Sequence, residues 1–267
     1  MTTVNDVYNF LDSIAPVAIK MDFDNVGLLV GRADAALTAV LVSLDITTEA
    51  IREAAETGAG LIVSHHPLFF SLRSVTDADD IGKRIVQMLS NGLSGICMHT
   101  NLDAAHGGVN DALALRLGLT RGKTPPELLA EDAESGGCTY SYGRICFLDA
   151  PVPLDDYLPS VKAAVGADII RYYDAGRPVQ KIALVSGSGG DQFRHVIAKG
   201  CDTFISADIK YDLFLEAKEL GVNLVDADHF CTENVVIAPL AEKLRTEFPD
   251  LDVRVSEAHG PTVKIFY

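Results

Sequence analysis

Two adjacent histidines, His65 and His66, close the apolar run 61–64 and are followed by Pro67. Neighbouring side chains at a strand end point in different directions, so one pair could serve two metal sites. Pro67 keeps the strand from continuing in its ladder. Imidazole is the commonest metal ligand, although a surface loop would carry the same pair without binding anything. Asp103 sits in His99-Thr100-Asn101-Leu102-Asp103, shortly before Gly107-Gly108. A carboxylate there either faces a cleft from a strand end or caps the entry to a helix. His229 and Glu233 form His-x-x-x-Glu directly after another apolar run. With Thr232 as helix cap, Glu233 falls in a first helical turn, close enough to join His229 on one ion. Its second oxygen could reach another ion, or the acid could simply face the helix dipole.

Three histidines and two carboxylates suit manganese, iron or zinc better than magnesium or calcium. Five donors leave two ions unsaturated, so water completes them, and open positions are what a catalytic centre needs. Two ions about 4 Å apart can hold a bridging hydroxide and polarise a phosphoryl or imidazole-type substrate. His99 adjoins the group and is read as a proton carrier or substrate contact. Asp208 is read as a second acid that lines the cleft, moves protons or orients a turn. His106, His195 and His259 are read as surface or structural. Gly107-Gly108 match neither a Walker loop nor a dinucleotide fingerprint. The cysteines Cys97, Cys138, Cys146, Cys201 and Cys231 are widely spaced without Cys-x-x-Cys, and read as reduced core residues.

The elements that would carry these residues follow from periodicity. Helical spacing runs through Val4, Val7, Tyr8, Phe10 and Leu11. Strands are predicted at 26–31 and 39–44, and a helix from a Thr47 or Thr48 cap to about Thr57, stopped by Gly58. A strand at 61–64, a helix at 81–89, a strand at 95–98 and a helix at 109–117 follow. Residues 121–136 read as a polar connector. Then come a strand at 138–148, a helix at 154–165 and a strand at 169–173. From residue 181 the early pattern returns: strands at 182–185 and 203–205, helices at 192–199 and 211–220, and a strand opening at 224 and ending near His229. Pro239 lies inside the next helix and kinks it or delays its start. Ser43 and Ser64 are 21 residues apart, Ser186 and Ser206 are 20 apart, and both pairs bracket a strand–helix–strand run. This predicts an α/β fold of two related β-α-β-based halves arising by internal duplication. The expected division is 1–120 (with His65, His66 and Asp103), 121–180 (connector and strand–helix segment) and 181–267 (with His229 and Glu233). Open parallel sheets bind ligands outside the carboxyl ends of their strands, where all these clusters fall, so a cleft between the halves would collect them.

Composition narrows the classes further. The chain has 267 residues, 48% hydrophobic and 22% charged, enough for a substantial core. Its net charge of -15 disfavours nucleic-acid binding. No apolar run approaches the roughly 18 residues of a membrane span. The opening MTTVNDVYNFLD carries acids where a signal peptide needs an apolar stretch, so the expected location is the cytoplasm.

Taken together, these segments resemble the GTP cyclohydrolase I type 2 family, also called the NIF-three-like dinuclear metal-centre proteins. The resemblance rests on Asp24-Asn25-Val26-Gly27-Leu28-Leu29-Val30-Gly31, Ser64-His65-His66-Pro67, His99-Thr100-Asn101-Leu102-Asp103, Gly107-Gly108-Val109-Asn110-Asp111, and Asp226-Ala227-Asp228-His229 with Thr232-Glu233. It implies His65, His66, Asp103, His229 and Glu233 as ligands of two divalent ions (zinc, iron or manganese), with Glu233 bridging. It also implies a toroidal homohexamer. Three positions depart from the family's usual pattern: Phe23 where Trp is frequent, Ser206-Ala207-Asp208 where Thr-Gly-Asp is, and Tyr211-Asp212 where Tyr-His is. Some relatives carry an inserted domain in mid-chain, for which 121–180 is too short. The implied activity is a metal-dependent hydrolase acting on a nucleotide-like substrate, with ring opening of a guanine nucleotide as the named reaction and His99 or Asp208 moving protons. The alternative is a non-enzymatic, metal-loaded ring that scaffolds or regulates another protein.

Overall fold

The computed structural model describes residues 1–119 and 126–266. The chain divides into two compact units, residues 1–102 with 237–260, and residues 103–236 with the C-terminal residues from Pro261. In chain order the first unit runs α1 (Val4–Ile14), β1 (Gly27–Val30), β2 (Ala39–Ser43), α2 (Thr48–Glu56), β3 (Leu61–Ser64), α3 (Asp80–Ser90) and β4 (Ser94–Cys97). Helix α4 (Thr100–Ala104) leads into the second unit. There follow α5 (Val109–Arg116), β5 (Glu127–Leu128), β6 (Ala133–Ser135), β7 (Cys138–Tyr140), β8 (Arg144–Val152), α6 (Leu154–Val165) and β9 (Arg171–Tyr173). The unit continues through β10 (Val179–Leu184), α7 (Phe193–Ala198), β11 (Thr203–Ser206), α8 (Tyr211–Leu220), β12 (Asn223–Asp226) and α9 (His229–Glu233). The chain then returns to the first unit with α10 (Ile237–Glu247) and β13 (Asp252–Val255).

The first unit's sheet has the order β1-β4-β3-β2-β13. All its pairings are parallel except β1 with β4. Parallel strands covered on both faces read as continuous apolar runs, and β2, β3 and β4 are buried at every position. Leu41 and Ile62 share one apolar cluster with Ala50, Ile51 and Ala54 of α2 and Ile85 and Met88 of α3. Thr47 caps α2 by accepting from the Ala50 amide at 3.1 Å. The register sets Ser43 beside Ser64 and Ser64 beside Cys97. The residues that follow, Asp45, His65, His66 and His99, therefore leave from one edge.

The second unit's sheet has the order β5-β8-β10-β11-β12-β9, with β10, β11 and β12 parallel and the other pairings antiparallel. Strand alternation divides β10 between two cores. Ile182 and Leu184 pack with Leu154, Tyr157 and Val161 of α6, while Ala183 and Val185 pack with Phe193 and Val196 of α7. The duplication is visible in the pairing itself. Val40 pairs with Leu61 and Ile182 with Thr203, an offset of 21 residues in each copy. Each copy adds a third parallel strand flanked by an antiparallel one, β1 beside β4 and β9 beside β12.

Several expectations are corrected. The unit boundaries are not those of 1–120, 121–180 and 181–267. β13 pairs in parallel with β2, which draws 237–260 into the first unit, and α5 packs on β8 and β10, which draws 103–119 into the second. Of the expected connector 121–136, residues 121–125 lie outside the described ones, while the rest forms β5, β6 and the start of the turn that pairs β6 with β7. The expected strand 138–148 is two strands, β7 and β8. Of the two outcomes expected at Pro239 the delay is the one observed: α9 ends at Glu233, a 3-10 turn spans Asn234–Val236, and α10 starts at Ile237, which puts the proline in the first turn, where no intrahelical amide bond is lost. Four of the five cysteines are buried, but Cys138 is exposed. Phe23, at one of the departures from the usual family pattern, is 64% exposed. No helix among the described residues is long and apolar enough to cross a membrane.

Candidate metal centre

In the first unit, His65 and His66 follow β3 and His99 follows β4. The ring centroids lie 5.0 Å (His65–His66), 5.3 Å (His65–His99) and 5.5 Å (His66–His99) apart. Each offers a ligand atom within 4.8 Å of the others. Each ring is fixed through Nδ1, which donates to a protein oxygen. For His65 the acceptor is the Met98 carbonyl at 2.9 Å, for His66 it is Asp45 Oδ1 at 2.8 Å, and for His99 it is Asp24 Oδ1 at 2.8 Å. A ring held in this way presents Nε2 as its coordinating or proton-carrying nitrogen.

The carboxylates behind these rings are themselves secured. Asp24 accepts from the Thr100 amide at 3.0 Å and from the Thr100 hydroxyl. Burial alone would raise its pKa, but the bonds from His99 and Thr100 outweigh that and hold it down at about 2. Asp45 is likewise driven well below the carboxylate range, its burial outweighed by hydrogen bonds from His259 and His66.

In the second unit, α9 presents His229 and Glu233 one turn apart, with Nε2 and Oε2 separated by 3.0 Å. The helix is capped by Asp228, not by Thr232. Asp228 has φ 71° and accepts from the Cys231 amide at 3.0 Å. Thr232 lies inside α9 and accepts from the Gly187 amide at 3.0 Å. His229 Nδ1 donates to Asp208 Oδ2 at 2.7 Å. Burial works against a charged His229 ring, but Glu233 and then Asp208 push its pKa up to about 9. Asp208, at φ 52°, is followed by an Ile209 amide bonded to Asp226, and Arg171 also bonds Asp226. Asp208 thus stands where a carboxylate orients an imidazole.

The turn after β10 gathers the rest of this unit's set. Ser186 Oγ donates to Asp103 Oδ1 at 3.4 Å, and the Ser186 amide donates to Asn110 Oδ1 at 2.8 Å. Asn110 Nδ2 in turn donates to the Asp103 carbonyl at 3.1 Å. Gly187, at φ +59°, leaves room where a Cβ would lie 1.9 Å from Glu233 Oε1 and 3.2 Å from His229 Nε2. With no side chain on Gly187, the Glu233 carboxylate comes up against this turn beside His229, and an imidazole next to a carboxylate is a donor pair that a divalent cation takes.

The structure thus gathers His65, His66 and His99 within the first unit, and Asp103, Asp208, His229 and Glu233 around the ends of β10–β12 in the second. Sequence reasoning gave no role to Asp24, Asp45, Gly187 or Asn110. The strand-end rule that found His66 would also have found Asp45, two residues past β2. Ser206, at one of the departures from the usual family pattern, is buried and fastens the Gly187 turn, donating to the Gly187 carbonyl at 3.1 Å and accepting from the Gly189 amide at 3.0 Å. Asp212 sits exposed in the first turn of α8.

These features define a duplicated α/β protein with groupings of histidine and glutamate that could hold a metal ion. The family model described as Duf34/NIF3 (NGG1p interacting factor 3) matches residues 2–261, and the chain belongs to that family. A Clostridium perfringens relative named GTP cyclohydrolase 1 type 2 homolog is 36% identical, over 97% of this chain and 98% of its own. A solved Bacillus cereus protein related to NIF3 superposes with a TM-score of 0.91 at 21% identity, covering 100% of this chain and 99% of its own. A Staphylococcus aureus hypothetical protein superposes at 0.87 with 27% identity, covering 98% of this chain and 99% of its own.

Proposed function

We propose that the chain holds two divalent metal ions on His65, His66, Asp103, His229 and Glu233 and uses them to hydrolyse a nucleotide-like substrate. The observation that carries this reading is the His229–Glu233 pair, with Asp208 fixing the ring through Nδ1 and the bare Gly187 turn admitting the Glu233 carboxylate beside it. The Nδ1 anchors of His65 and His66 support it in the same way. Bound ions of this kind lower the pKa of water and polarise a phosphoryl or imidazole group. The chain's own part is to orient and to move protons. Asp208 holds His229, Asp45 holds His66, and His99, fixed at Nδ1 by Asp24, exchanges a proton with substrate at Nε2.

The substrate class has support beyond the relatives' name. Phe23 and Phe70 are 64% and 55% exposed, and their ring centroids lie 6.0 Å apart. Phe70 is also 6.0 Å from the His99 ring. A flat heteroaromatic ring stacked on one of them gains about 1–3 kcal/mol and brings its edge to His99. The homohexamer implied by the family resemblance belongs to this reading and is measured by light scattering.

Elemental mass spectrometry of protein purified without chelator or affinity-tag metal tests the centre, with His65→Ala and Glu233→Ala alongside. About two ions per chain, lost in both variants, is the expected outcome. Protein that neither carries nor acquires manganese, iron or zinc overturns it. Metal-loaded protein that turns over no nucleotide leaves the scaffold role as the function.

A further inference from the structure

Asp45 carries a histidine on each carboxylate oxygen. Oδ1 accepts from His66 Nδ1 at 2.8 Å and Oδ2 accepts from His259 Nε2 at 2.7 Å. His259 comes from the segment that follows β13, and that segment is tied down along its length. The Ser256 amide donates to the Val42 carbonyl at 2.8 Å. Glu53 on α2 then accepts from the Ser256 hydroxyl at 2.5 Å, the Glu257 amide at 2.8 Å and the Ala258 amide at 3.3 Å. The segment is therefore a strap that starts at the sheet, passes under Glu53 and delivers His259 to Asp45.

A carboxylate with a donor on each oxygen has no freedom to rotate away from either. A lone Asp45 could swing and leave His66 to choose between its two tautomers. With His259 bound on the far side, Oδ1 stays aimed at His66 Nδ1, the ring proton stays on Nδ1, and Nε2 keeps its lone pair. The ordering cost is met in folding of the first unit, before any ligand arrives. Nothing in the repeated β-α-β pattern supplies this arrangement, because the strap lies beyond both copies.

We propose that Asp45 and His259 are positioning residues for His66, so that the C-terminal strap sets the tautomer of that ring and, through it, the metal affinity of the centre. The affinity half of this statement rests on the metal reading above; the tautomer half does not.

Two measurements on the full chain separate them. The first follows the ring nitrogens of His66 and His259 in chelator-treated protein by long-range proton–nitrogen NMR at alkaline pH. His66 is expected as a single Nδ1–H tautomer, turning into a mixture in Asp45→Ala and in His259→Ala. His259→Gln restores the single form, since its amide N–H can reach Asp45. The second is calorimetric titration of stripped protein with manganese or zinc. Asp45→Ala is expected to weaken binding about 10–100-fold, His259→Ala less, and His259→Gln least. Glu53→Ala, which frees the strap without touching either histidine, should follow His259→Ala and serves where Asp45→Ala fails to fold. An unchanged His66 tautomer in both Asp45→Ala and His259→Ala overturns the proposal. Wild-type protein that binds neither metal overturns the metal reading instead, and the ring spectra then decide the positioning claim alone.

Discussion

Gly187 and Glu233 meet so closely that a methyl group on the glycine would lie 1.9 Å from Oε1 and 2.9 Å from Cδ. The glycine cannot retreat. Its amide is bonded to Thr232 and its carbonyl accepts from the Ala207 amide and from Ser206 Oγ. Its φ of +59° adds strain for any L side chain. Gly187→Ala is therefore expected to cost about 1–3 kcal/mol in urea unfolding. It should also push the Glu233 carboxylate aside and lower metal content well below that of wild type. A variant with unchanged stability and full metal content would show that this turn does not shape the centre.

Arg144 is fully buried and spends every guanidinium nitrogen. Nε donates to Asp111 Oδ1 at 2.6 Å, Nη1 to the Ser141 and Gly143 carbonyls, and Nη2 to the Ala104 and Ala105 carbonyls. It therefore closes the end of α4 immediately after Asp103. Arg144→Met keeps the length but strands Asp111 and several carbonyls, and the expected loss is about 3–5 kcal/mol. Asp111→Asn retains an acceptor for Nε and should cost less. Equal losses in the two variants, measured by urea unfolding, would mean that the carbonyl bonds contribute little.

The strand-end clusters were readable because their physics is local. Parallel strands buried on both faces announce themselves as apolar runs, and the polar residue that follows must leave at the ligand-binding edge. That reasoning found His65, His66, His99, Asp208 and His229. It fails where partners are distant or where backbone conformation decides. Strand β13 is short, with Asp252 and Arg254 exposed, and its partner β2 lies some 200 residues earlier in the chain, so 237–260 looked like part of the second half. Thr232 looked like a cap because Asp228 takes that place only at positive φ, unusual for a residue other than glycine. The β6–β7 hairpin has a local signature too. Gly136-Gly137, both at positive φ, form the two-residue turn that such a pair favours between short strands.

The thiols divide cleanly by environment. Burial pushes Cys146 and Cys231 up to about 12 and Cys201 up to about 11. Cys97 is buried too, its Sγ donating to the His65 carbonyl at 3.0 Å. Cys138, on the β6–β7 hairpin, is exposed. A thiol reagent at neutral pH should therefore label Cys138 quickly in the native chain and reach the other four only on unfolding. Peptide mapping by mass spectrometry identifies the site. Rapid native labelling of Cys146, Cys201 or Cys231 would contradict the packing described for their strands and helices.

Asp24 should write its hydrogen bonds into the acid limb of stability. Its folded pKa of about 2 lies below the roughly 3.9 of an unfolded aspartate. Folding therefore favours the charged carboxylate, and the resulting stability is fully present above pH about 4 and drains away as pH falls toward 2. The difference corresponds to on the order of 2 kcal/mol. In chelator-treated protein, Asp24→Asn should be less stable than wild type by about that amount at neutral pH. The gap should close as pH drops through the interval between the two values, because wild-type Asp24 is then also neutral. Urea unfolding across that range reads it directly. A gap that stays constant down to pH about 2 would mean that Asp24 contributes through shape rather than charge, and that its grip on His99 does not depend on ionisation.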